Sequence, residues 1–160
     1  MQMIAVSLAT LTLSLTLILS VATPSNNQAG TPTTVKHLPG ILASSPDLPF
    51  SEAVRVGDML YLSGMLGTVP GTRNLAPGGV KGETKQILDN MRKILEGNGS
   101  GLNRVVKCTV ILADIKEWPA MNEVYSTYFE KGKFPARTAF ESSGLLFGAR
   151  VEIECLASAK

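Results

Sequence analysis

The chain has 160 residues, 44% of them hydrophobic and 18% charged, with a formal net charge of +2. This length holds one domain of ordinary globular composition and excludes a fibrous or wholly disordered chain. The slight positive excess is scattered among acidic residues and excludes nucleic acid as the main partner, because phosphate binding requires clustered Lys and Arg.

From Met1 to Ala22 there is no charged residue, and Leu, Ile, Val and Ala are mixed with Ser and Thr. The apolar character peaks at Leu13–Ser20, and small residues follow in Ser20-Val21-Ala22. This reads as a signal peptide cleaved after Ala22, so the protein is expected to be exported, periplasmic or secreted. The basic start of such a segment is missing, and the stretch is just long enough to span a bilayer. An uncleaved membrane anchor over residues 1–22 is therefore the rival reading. A mitochondrial transit peptide is disfavoured, since nothing before Lys36 is basic. Residues 23–45, rich in Pro, Ser, Thr, Asn and Gly, read as a flexible linker, with the domain at 46–160.

Ala53–Val56 and Met59–Leu66 are strand-like runs separated by the turn signal Gly57-Asp58. Pro70 to Gly79 reads as loop. Thr84, Ile87, Leu88, Met91, Ile94 and Leu95 recur at helical spacing, and Gly97 is placed to end that helix. Val105–Leu112 is a β-branched strand. Asp114 can cap a second helix that tolerates Pro119 in its first turn and turns Val124, Tyr125, Tyr128 and Phe129 inward. Two further strands are expected over Arg137–Glu141 and Arg150–Ala157. The order β-β-α-β-α-β-β defines an α+β fold, a mixed sheet with two helices on one face. Met59-Leu60-Tyr61-Leu62 and Val110-Ile111-Leu112 are apolar at successive positions, so both strand faces call for burial, and self-association covers the open one most simply.

Cys108 and Cys155 each lie inside a strand-like apolar run, where a thiol serves as a small buried hydrophobe. Free thiols are expected, although export would permit a disulfide. No CxxC or Cys/His cluster exists and His37 is the only histidine, so no metal site is expected.

Six short segments occur in one order: Leu62-Ser63-Gly64, Pro77-Gly78-Gly79-Val80, Val105-Val106-Lys107, Asn122-Glu123-Val124-Tyr125, Phe134-Pro135-Ala136-Arg137 and Val151-Glu152-Ile153-Glu154. Together they resemble the Rid family, the YjgF-type reactive intermediate deaminases, from about Pro46 to Lys160. The resemblance implies a chorismate-mutase-like fold and a homotrimer with three clefts between subunits. It also implies activity of the 2-iminobutanoate/2-iminopropanoate deaminase type, with hydrolysis of 2-imino acids to 2-oxo acids and ammonia and no cofactor. A non-catalytic binder of small carboxylates, or a holdase-like protein, is the alternative. Membrane would be a partner only if residues 1–22 stay attached. The ribonuclease activity linked to the family is disfavoured here, for want of a histidine pair and a basic groove.

The chemistry is legible in the residue types. A substrate carboxylate calls for the planar donor fork that only arginine offers, and Arg137 follows the stiff Phe134-Pro135-Ala136 at a strand start. It matches the family's substrate-binding arginine. Glu152 alternates with Val151 and Ile153, so it faces away from them, and it matches the acidic residue that positions or activates water. Glu154 points the same way and competes with it. Asn122 matches a cleft-lining asparagine, and Ser63-Gly64 sits at a strand end where glycine permits close approach. Trp118, Tyr125 and Tyr128 read as packing residues. Three positions depart from the family pattern. Phe50, otherwise a substrate-binding position, stands where deaminases carry tyrosine, Met65 where glutamine is common and Ala139 where some members have cysteine. These departures imply a more apolar pocket.

Overall fold

A computed structural model describes residues 33–40 and 49–159. Residues 1–22, read as export segment or anchor, lie outside the described residues, as does most of the expected linker. The strands are β1 (Val35–Leu38), β2 (Ala53–Val56), β3 (Met59–Leu62), β4 (Met65–Leu66), β5 (Val105–Leu112), β6 (Ala136–Glu141) and β7 (Val151–Ser158); the helices are α1 (Gly79–Gly97) and α2 (Trp118–Tyr125). The sheet order is β1-β2-β3-β7-β5-β6, with β4 also paired to β7. The β5–β6 pair is parallel, and α2 lies in the crossover it requires; β5–β7 and the other pairs are antiparallel. This is the α+β architecture expected from the sequence.

Three boundaries differ from the sequence reading. Val35–Leu38, assigned to the linker, is a strand whose four residues pair with Ala53–Val56, so the domain begins before 46. Its Val-x-x-Leu pattern is too short to stand out among polar neighbours. The run Met59–Leu66 breaks at Ser63-Gly64 into β3 and β4, both on β7. Helix α1 starts a turn before Thr84, because Val80 and Glu83 continue its buried face back to the left-handed Gly78. At its other end the helix stops at Gly97 as expected, although the left-handed residue is Gly99, with φ of 74°.

The core is one cluster between the helices and the sheet, with Leu60, Ile87, Leu88, Ile94, Leu95, Val110, Leu112, Met121, Val151 and Ile153 all buried. Cys108 and Cys155 belong to it. They are register partners across β5 and β7, with Cα atoms 4.1 Å apart, and form a disulfide. The free-thiol expectation is thereby overturned. Alternation identifies both as core residues, but only the register sets them opposite each other. Glu83 is a buried charge on α1 whose carboxylate accepts the Arg150 N–H at 2.7 Å, which ties the helix to the entry of β7. Burial pushes this carboxyl above its ordinary range, and the backbone N–H groups of Arg150 and Val151 oppose the shift. Gly67 packs against the same turn: a Cβ there would lie 2.6 Å from Glu83 Cα.

Neither helix covers the other face of the sheet. It carries Leu66, Ile111 and Leu156, all partly buried, with Tyr61 44% and Phe140 46% exposed.

Candidate functional site

Strand register divides the expected site residues into two groups. Arg137 pairs with Cys108, and Cys108 with Cys155, so all three point to the helix side of the sheet. Glu152 pairs with Ile111, and Ile111 with Phe140, so these point to the open side. Within one chain, therefore, Arg137 and Glu152 are on opposite faces.

The Glu152 group gathers where β3 gives way to β4. Ser63 donates its hydroxyl to the Ser51 carbonyl at 2.7 Å, and its N–H bonds to the Glu52 carbonyl. These bonds bring the segment led by the exposed Phe50 alongside Ser63-Gly64. Leu66 pairs with Glu152, and the Glu152 carboxylate folds over Gly64 so closely that a Cβ there would overlap its Oε1. A side chain at position 64 would displace the carboxylate. Desolvation, followed by the charge of Glu154, pushes the Glu152 carboxyl above its ordinary value. Glu154 itself is exposed, so burial selects Glu152 of the two. Met65 pairs with Ile153 and packs on the core, on the side away from Glu152. The departure at Met65 therefore belongs to the core and leaves this group unchanged.

The Arg137 group forms where the edge strand β6 meets α2. The Phe134-Pro135 lead-in delivers Arg137 near the start of β6, with its side chain under the helix. Its Cζ lies 4.7 Å from the Tyr125 ring centroid and 5.7 Å from that of Trp118. Tyr125 is buried, Trp118 is 44% exposed, and Tyr125 packs on Phe129 at 4.8 Å. Asn122 is exposed and falls between Trp118 and Tyr125 in helical spacing, four residues after one and three before the other. Ala139 shares the Arg137 side of β6 and touches the core. The sequence reading gave Trp118 and Tyr125 only a packing role, and their contact with Arg137 was missed. The available signal was their seven-residue spacing, two helical turns on one flank of α2. Asp114 caps the 3₁₀ turn Ile115–Glu117 ahead of α2 through a 2.9 Å bond from the Lys116 N–H. Among the described residues no cluster of His, Cys, Asp or Glu could hold a metal ion.

Residues 41–159 match the family described as Endoribonuclease L-PSP. The chain is 47% identical to the mouse 2-iminobutanoate/2-iminopropanoate deaminase over 109 residues, which is 68% of this chain and 80% of that protein. It is a member of the Rid family. The human protein of the same name is 46% identical over 68% of this chain and 79% of its own. Among solved structures, RidA from an Antarctic Psychrobacter superposes with a TM-score of 0.70 at 34% identity, over 77% of this chain and 98% of that one. YyfA of Yersinia pestis, described as of the conserved Rid family, gives 0.73 at 32% identity over 79% and 100%. This Rid chain thus has the fold of its relatives across nearly their full length.

Proposed function

We propose that the protein hydrolyses 2-imino acids, of the 2-iminobutanoate and 2-iminopropanoate class named for its relatives, to 2-oxo acids and ammonia. The observation that carries this reading is Arg137, a guanidinium held on aromatic faces with no acidic partner among the described residues. Its fork accepts a substrate carboxylate through two parallel N–H···O bonds. The adjacent C=N carbon then meets water. Glu152, whose affinity for a proton is raised by burial, takes one as the water oxygen bonds to that carbon. The C=N bond becomes C–N as Glu152 passes that proton to nitrogen; the new hydroxyl's proton is then carried to the same nitrogen, and the C–N bond breaks as C=O forms and ammonia leaves. Water is consumed, Glu152 is regenerated, and no metal or cofactor is required. Gly64 leaves room at the carboxylate. The Ser63 hydroxyl is already committed to Ser51, so backbone is what this segment offers. Asn122 supplies an amide on the Arg137 side.

A site that uses both Arg137 and Glu152 has to be built from two chains, since one chain holds them on opposite faces. This favours a homotrimer with clefts at its interfaces, and the uncovered apolar face supports it. Sedimentation should give the mass of three chains, and a stable monomer that turns over imine would overturn the two-chain site. Export is proposed from the uncharged residues 1–22 together with the Cys108–Cys155 disulfide, a bond that persists in oxidising compartments. Ribonuclease action is not part of this reading. The sole histidine, His37, is exposed on β1, and the net charge is +2.

The decisive experiment is release of ammonia and 2-oxo acid from 2-iminopropanoate. Arg137→Ala should lower kcat/KM by about 30-fold or more, as loss of one partner of a buried charged pair costs about 2–5 kcal/mol. Arg137→Lys should restore little, because an ammonium lacks the planar fork. Unchanged turnover in Arg137→Ala would refute the reading, and binding of 2-oxobutanoate without turnover would reduce the protein to a carboxylate binder.

A further inference from the structure

Two other arginines show what is particular about Arg137. Arg92 also lies over a ring, 5.1 Å from the Tyr128 centroid, but it bonds Asp89 at 3.3 Å. Arg150 is held by Glu117 at 2.8 Å. In both, a carboxylate occupies donor positions of the fork. Arg137 is held by ring faces alone among the described residues.

A ring face contacts the flat surface of a guanidinium and accepts little from its N–H edge. It therefore restrains the side chain while leaving the donors free. Restraint has value here, because an arginine side chain carries about 2 kcal/mol of rotamer entropy that binding would otherwise have to remove. The two rings come from one short, rigid element. Trp118 opens α2 and Tyr125 closes it, with Pro119 fixing the first turn. Tyr125 is 2% exposed and lodged against Phe129, so it cannot swing away.

We infer that Trp118 and Tyr125 are positioning residues of the carboxylate site, an aromatic seat that fixes the plane of the Arg137 fork before ligand arrives. This rests on the proposed role of Arg137 in binding carboxylate. The ring of Tyr125 does the work, and its hydroxyl does not. The hydroxyl is buried without a hydrogen-bond partner among the described residues. Burial also pushes the phenol up to about 12, so it stays neutral at working pH.

The test uses the full chain with Trp118→Leu, Tyr125→Leu, Tyr125→Phe and Arg137→Ala. Calorimetry measures the Kd of 2-oxobutanoate, kinetics measure KM and kcat for 2-iminobutanoate, and NMR follows the Arg137 Nε–Hε resonance. In the wild type that resonance should be shifted upfield by the rings, a readout that needs no mutation to fold. Each leucine variant should raise Kd and KM by ~3–10-fold, the range for a partly desolvated cation–ring contact, with kcat changing less. Each should also move the resonance toward its random-coil position. Tyr125→Phe should recover most of what Tyr125→Leu loses. Leucine variants with wild-type Kd, or a phenylalanine variant as weak as the leucine one, would overturn the seat while Arg137→Ala still abolishes binding. Unchanged binding in Arg137→Ala would instead remove the carboxylate reading and the seat with it.

Discussion

Gly64→Ala separates the chemistry of the site from the stability of the fold. Its added Cβ would overlap Glu152 Oε1 and sit 3.1 Å from Cδ, so the carboxylate has to give way. The atom that must move is the far end of a rotatable side chain on the open face, not backbone. Restoring van der Waals contact requires a displacement on the order of 1 Å, and a catalytic group misplaced that far costs about 100-fold in rate. The fold should lose little, since Gly64 does not have a positive φ and alanine fits its backbone. Gly67→Ala is the control with the opposite signature. Its Cβ would meet the Cα of Glu83 at 2.6 Å, and α1 cannot retreat without opening the core. A cost of about 1–3 kcal/mol in stability is expected there. Thermal melts run beside ammonia-release kinetics on both variants test this. Gly64→Ala that keeps wild-type kcat/KM in a folded protein would refute the placement of Glu152 at the reacting centre.

Three further outcomes follow from the same structure. Glu152 has a folded pKa raised above its ordinary 4.5 by burial and by Glu154, so the native chain holds a proton that the unfolded chain has lost. Stability should fall as pH rises from about 4.5 through that raised value. Glu152→Gln should reduce the slope, leaving the part that the buried Glu83 contributes, and melt at least as high as the wild type at pH 7, with the curves converging in acid; a lower melting point at pH 7 would contradict a desolvated carboxylate. The Cys108–Cys155 bond closes a sequence separation of 47, worth about 4 kcal/mol by chain entropy. Dithiothreitol should therefore lower Tm, and an unchanged melt with two titratable thiols would rule the bond out. Secreted material should begin near Thr23 by intact mass, whereas membrane-bound material retaining Met1 would favour the anchor.

What the sequence made legible was whatever depends on local period. β2 and β5 lie where apolar, β-branched runs place them, and the apolar stripe Ile87, Leu88, Met91, Ile94 and Leu95 marks α1. β1 escaped because four residues supply too few alternations against a Pro- and Thr-rich background. Its strand character comes from a non-local partner, Ala53–Val56, and no local pattern encodes that. The disulfide escaped for the same reason. Each cysteine is legible as buried, but their meeting depends on which residue of β7 lies beside which of β5.

The candidate site shows this limit most sharply. Arg137 and Glu152 were both proposed from residue type and motif, and alternation correctly turned Glu152 away from Val151 and Ile153. Alternation fixes a face only within one strand, however. Whether two strands turn their functional residues to the same side depends on register, and a shift of one residue would reverse the answer. Here β7, β5 and β6 align so that Arg137 shares a row with Cys108 and Cys155, while Glu152 shares one with Ile111 and Phe140. On the proposed function, that alignment gives each chain two half-sites, one seated under α2 and one folded over Gly64 on an apolar face. Neither half can both hold a carboxylate and activate water. The face that carries Glu152 is also the one whose apolar residues no helix covers, so the association proposed above would both bury that surface and bring the second half-site into reach.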